Sequence, residues 1–126
     1  MRYMLIHYID ESILMRWDAG ENDEAWGPRQ DEALSAWDAE MISRGILVGG
    51  GVLRPGKQAT TVRVRGGELL VTDGPFAETK EQIAGYGVLE CASLDEAIEV
   101  SSSHPTAKIG TFELRPFQEF QGSQES

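Results

Sequence analysis

A single cysteine occurs in the 126 residues. Cys91 therefore has no partner for an internal disulfide. An apolar, strand-like run surrounds it, so an inert core thiol is its expected role, and nothing demands an oxidising compartment. Basic residues are scarce: 11 Lys and Arg face 21 Asp and Glu, a formal net charge of −10. Such a surface repels a phosphate backbone and an anionic bilayer, so neither nucleic acid nor membrane is an expected partner. No apolar run approaches the ~20 residues of a membrane span. The short apolar run after Arg2 ends at Asp10 and is too polar for a signal peptide. The expectation is a soluble cytoplasmic protein. Histidine is also rare. His7 and His104 have no partners at metal-ligand spacing, and neither a metal nor a cofactor is expected.

What is present reads as one α+β domain over residues 1–117 with a polar tail at 118–126. Residues 3–9 (YMLIHYI) are apolar on both alternating faces, the mark of a central strand covered on both sides. Residues 10–27 are acidic with scattered apolar side chains. They read as a long connector with at most one helical turn, either pinned by Trp17 or Trp26 or serving as a lid. From Pro28, the spacing of Leu34, Trp37, Met41 and Ile42 predicts an amphipathic helix of about 16 residues ending at Gly45.

Residues 46–53 read as a strand bulged at Gly49-Gly50-Gly51. No Lys-Ser/Thr pair follows and no helix starts there, which rejects a phosphate-binding loop. Gly66-Gly67 separates two strand patterns and predicts a hairpin over 60–72. Arg63 and Arg65 share one face of it, as solvated charges or as a clamp for a carboxylate. A strand at 85–91 precedes Ser93-Leu94-Asp95-Glu96, a capping box opening a short helix with Leu94, Ala97, Ile98 and Ser101 on one face. Phe112 and Leu114 alternate with polar residues in a half-buried last strand. Set apart from the hairpin, the order is βαββαβ, the ferredoxin-like pattern. Both helices should lie on one sheet face, and the other should meet a second copy of the chain.

Asp73-Gly74-Pro75-Phe76 interrupts the strand pattern. Aspartate before glycine is good turn chemistry, with Gly74 held extended by the proline that follows. The same turn presents a carboxylate beside Phe76, near a strand whose Gly85 and Gly87 leave room on one face. A carboxyl group against an aromatic wall can act as a general acid or base. His7 lies mid-strand among apolar residues, either as a satisfied core histidine or as the partner of Asp73. His104 precedes Pro105 at a helix end, where the helix C-terminus accounts for it. Lys80 and Tyr86 are candidates to hold an anionic or carbonyl substrate, together with Phe76.

Four stretches carry a family resemblance: YMLIHY, ISRGILVGGGVLRP, TTVRVRGGELLVTDGPFAETKEQIAGYGVLE and SLDEAIEVSSSHPTAKIGTFELRPF. Together they resemble the YCII-related family, specifically its DGPF branch, over nearly the whole chain except the acidic connector and the tail. The resemblance implies a ferredoxin-like fold that dimerises through its sheets as a dimeric α/β-barrel, with a pocket at the Asp73 turn. In relatives a histidine of the first helix stands near that Asp as an acid–base dyad; here the position is Leu34. The branch also implies a link to extracytoplasmic-function sigma factors, and it names no general substrate. Two functions follow: a small homodimeric module that binds an unidentified small molecule in association with a sigma-factor system; alternatively, a cofactor-independent lyase, isomerase or hydrolase using Asp73 and His7.

Overall fold

The computed structural model describes residues 1–21 and 28–118, with backbone only at 28–30. Trp26, most of the second half of the acidic connector and tail residues 119–126 lie outside the described residues. The elements are β1 (Arg2–Asp10), α1 (Glu11–Asp18), α2 (Pro28–Ser43), β2 (Leu47–Val52), β3 (Thr60–Arg65), β4 (Glu68–Asp73), β5 (Glu81–Glu90), α3 (Leu94–Ser102) and β6 (Thr111–Pro116).

Four strands form an antiparallel sheet in the order β2-β5-β1-β6, while β3 and β4 pair only with each other. Every ladder is antiparallel. This is the ferredoxin-like arrangement, with β1 central as its apolar sequence requires. Tyr3, Leu5 and Leu89 of the sheet pack with Trp37 and Met41 of α2 and with Ala97 and Val100 of α3 in one core, so α2 and α3 cover the same face. The opposite face carries Met4, Ile6 and Tyr8, which are only half-buried.

The acidic stretch after β1 is not the loop expected from the sequence. Residues 11–18 form an eight-residue helix, capped by Asp10, whose carboxylate accepts from the Ser12 backbone N–H at 2.8 Å. Leu14, Ile13 and Trp17 dock on Ile9 and Ala84, and this packing sustains a helix too short to persist alone. In α3 the buried face is Ala97, Val100 and Ser101, while Leu94 and Ile98 are exposed, so the apolar face expected from sequence is rotated. The capping box forms: Glu96 N–H donates to Ser93 Oγ, and the Glu96 carboxylate accepts from the Ala92 N–H. Gly66 and Gly67 take φ of 57° and 79°, as a two-residue hairpin turn needs. Gly74 takes φ 98° rather than an extended conformation, a value open to glycine and strained for other residues.

Two irregularities shape the sheet near its centre. The β1–β5 register shifts between His7 and Tyr8, and the β2–β5 register shifts between Leu47 and Gly49. Bulges of this kind re-aim side chains and recur beside functional sites. No helix among the described residues is long and apolar enough to cross a membrane.

Candidate functional site

Between the helices and the sheet lies a cavity of ≈ 900 Å³. That is within the ~300–1,000 Å³ range of small-molecule sites. Its strand side is built from glycine: Gly49, Gly50, Gly51, Gly85 and Gly87 all line it. A Cβ on Gly50 would stand 2.5 Å from the Tyr86 carbonyl oxygen, and one on Gly85 would stand 2.9 Å from that of Gly51. Close approach of β2 and β5 therefore requires glycine and leaves a surface of bare backbone. Leu14 and Trp17 from α1 and Leu34 and Trp37 from α2 face it.

Besides the carboxylates of Glu21, Asp31 and Asp38, the cavity is lined by a bonded polar cluster of His7, His104 and Thr106. His7 is brought there by β1, opposite Gly85 on one side and Phe112 on the other. His104 and Thr106 come from the turn after α3. The Thr106 hydroxyl lies 2.8 Å from His7 Nε2 and 3.0 Å from His104 Nδ1. The Thr106 backbone N–H also donates to His104 Nδ1, at 3.2 Å. The last bond makes His104 Nδ1 an acceptor. In the tautomer in which the Thr106 hydroxyl shares that acceptor, the hydroxyl accepts in turn from His7 Nε2–H. The chain of donors leaves His7 Nδ1 as an acceptor and His104 Nε2–H as a donor.

Packing holds both rings. His7 stacks at 4.3 Å from the Phe112 ring centre, and His104 sits 4.7 Å from Trp37 and 5.0 Å from Phe112. Trp37 is itself fixed by donating from Nε1 to Ser103 Oγ at 2.9 Å. At Gly110 a Cβ would lie 2.9 Å from His7 Nε2, so no side chain can intrude there. Burial, with the nearby His104 ring, pushes His7 from the ordinary 6.5 to about 4. Burial alone does the same to His104. Both imidazoles are therefore neutral near pH 7. A histidine drawn to a helix C-terminus would shift the other way; the environment of His104 is set by the apolar rings around it.

Asp73 lies elsewhere. It is exposed at the end of β4 and lines a separate hollow of ≈ 570 Å³ with Glu11, Lys57, Glu78, Lys80 and Gln82. The structure does not bring it to His7, whose ring nitrogen is bonded to Thr106. Phe76 is 77 % exposed beneath the Arg63 guanidinium, 5.0 Å from its ring centre. Lys80 pairs with Asp10 at 3.8 Å. Tyr86, opposite Ile6 in the β1–β5 ladder and 44 % exposed, is the one substrate-binding residue expected from the sequence that also lines the main cavity. Among the described residues no three His, Cys, Asp or Glu side chains are placed to hold a metal ion. Thr106 escaped the sequence reading, and His104 was assigned to a helix end. Each is some hundred residues from His7, and no spacing motif links them.

Comparison with known proteins agrees with this geometry at the level of fold. Residues 1–121 match the family model described as the YCII-related domain. An uncharacterized protein of Rhizobium meliloti (strain 1021) is 38 % identical over 118 residues, covering 92 % of this chain and 91 % of its own. Among solved structures, a 5-chloro-2-hydroxyhydroquinone dehydrochlorinase from Burkholderia phenoliruptrix, in complex with 2,5-dihydroxybenzoquinone, aligns with a TM-score of 0.53. The alignment covers 98 % of this chain and 100 % of that one at 13 % identity, a likeness of fold alone.

Proposed function

The chain belongs to the YCII-related family, and from that premise we propose that it is a cofactor-independent acid–base enzyme, a lyase or isomerase acting in the cavity between sheet and helices. The observation that carries this is the Thr106 hydroxyl bridging two buried imidazoles at the cavity wall. His7 Nδ1 can take a proton while its Nε2 proton passes through the Thr106 hydroxyl to His104 Nδ1, and the His104 Nε2 proton is delivered in turn, so both rings return to neutral. Near pH 7 both rings are neutral. When a bound molecule yields a proton to His7, the anion so formed favours the imidazolium beside it. Charge is thus stabilised as a pair, the anion beside the imidazolium. The dehydrochlorinase of similar fold is named for an elimination from a hydroxylated ring, a reaction of the same general class.

The protein is further proposed to act as a homodimer joined through the sheet face of Met4, Ile6 and Tyr8. A non-catalytic reading, a dimeric ligand-binding module in a sigma-factor system, is favoured by Leu34, which lines the cavity without offering a proton carrier. Isotope exchange separates the two readings. Small cyclic ketones and phenols incubated with the protein in D₂O should lose ring or α-carbon protons. His7→Gln should slow that exchange by about 10²-fold or more, and Asp73→Asn should leave it intact. Ligands that bind without exchanging in the wild-type protein would sink the enzyme reading and favour the module.

A further inference from the structure

The cavity carries charge of one sign. Its ionised lining residues are Glu21, Asp31 and Asp38, and no Lys or Arg stands among the described ones. The polar end adds no cation, because His7 and His104 are neutral at pH 7. Burial already pushes the Asp38 carboxyl up. A second anion brought near it would raise the cost further. A carboxylate or phosphate entering here would shed its hydration, meet no Lys or Arg among the described lining residues, and gain a counter-charge only by protonating imidazoles that burial holds neutral. The cations that the sequence offered for such a group are engaged outside this cavity, Arg63 over Phe76 and Lys80 beside Asp10.

An uncharged molecule meets a different surface. The backbone of Gly50 and Gly85 and the side chains of Leu5 and Leu47 beside Gly87 offer an uncharged strand side. Trp37 and Phe112 supply aromatic edges, and the imidazoles and the Thr106 hydroxyl offer one donor–acceptor set for a hydroxyl or carbonyl group. We infer that the cavity selects uncharged, ring-sized molecules bearing a hydroxyl or carbonyl and rejects carboxylates and phosphates. This rests on the reading of the cavity as the ligand site and adds the charge class of its ligand.

Three probes sharing one phenol ring isolate the charge: 4-methylphenol, 4-hydroxybenzoate and tyramine, titrated at pH 7.5 and low salt. Binding is read from amide shifts of Gly87 and Thr106 and from the thermal midpoint. 4-Methylphenol should bind at least about tenfold more tightly than 4-hydroxybenzoate, the scale of one uncompensated charge in a partly buried site. Tyramine should also outbind the carboxylate. Asp38→Asn should narrow the gap between 4-methylphenol and 4-hydroxybenzoate. Equal or tighter binding of 4-hydroxybenzoate overturns the inference, as does failure of 4-methylphenol to move those amides. The expected order without isotope exchange would sink the catalytic reading and leave this one standing. Exchange with the reverse order would do the opposite.

Discussion

Thr106 is 3 % exposed, and its single hydroxyl satisfies ring nitrogens of two histidines. Thr106→Val keeps the shape and removes the hydroxyl, leaving His7 Nε2 without its hydrogen-bond partner. The expected loss of stability is about 1–3 kcal/mol, read from urea unfolding. Thr106→Ser should restore most of it, together with any proton exchange. The histidines also set a pH dependence. Their folded values are about 4 against an ordinary 6.5, so between these limits the unfolded chain binds more protons than the folded one. Stability contributed by the neutral rings is therefore complete above about pH 6.5 and falls as pH drops towards 4. The double variant His7→Gln, His104→Gln should flatten the slope of unfolding free energy between pH 6.5 and 5. At this scale the sequence marked His7, because a lone histidine in an apolar strand stands out. It could not supply the partner, since Thr106 reaches His7 only through the β1–β6 pairing and the turn after α3. Asp73 attracted notice because a turn motif is local and visible, whereas its distance from His7 is a property of the folded chain.

Elements whose cause is local were the legible ones. The hairpin follows from Gly66-Gly67, α2 from its apolar stripe and Gly45, and the α3 start from Ser93 and Glu96. α1 was missed because Ile13, Leu14, Met15 and Trp17 crowd together among acids, and only docking on Ile9 and Ala84 decides their conformation. In α3, Ala97 and Ser101 of the expected face are buried, but Val100 joins them in place of Leu94 and Ile98, because the small side chains let that side of the helix approach the core. Glycine positions in the sheet make a graded test. At Gly87 an added methyl meets the end of the Leu47 side chain at 3.2 Å, which can move. At Gly50, with φ 147°, it meets backbone at 2.5 Å. Gly50→Ala should cost about 1–3 kcal/mol more than Gly87→Ala, seen as a lower thermal midpoint.

The whole molecule carries −10 net charge and a half-covered apolar sheet face. Self-repulsion weakens the compact state at low ionic strength, so adding about 0.2 M NaCl should raise the thermal midpoint. The open face around Ile6 calls for a second copy. Sedimentation should give a dimer, and Ile6→Lys should shift it to monomer while far-ultraviolet circular dichroism stays unchanged. A concentration-independent monomer in the wild-type protein would remove that proposal. The double apolar pattern of residues 3–9 announced a covered second face, but no property of one chain says what covers it.

The glycine wall also divides the evolution of preference from the maintenance of architecture. Residues 50 and 85 cannot gain a side chain without prising two strands apart, so one boundary of the chamber is frozen. On the proposed reading of the chamber as the ligand site, selectivity is open to change on the helical roof, at positions such as Leu14, Leu34 and Ile42, where a change of bulk leaves the sheet undisturbed.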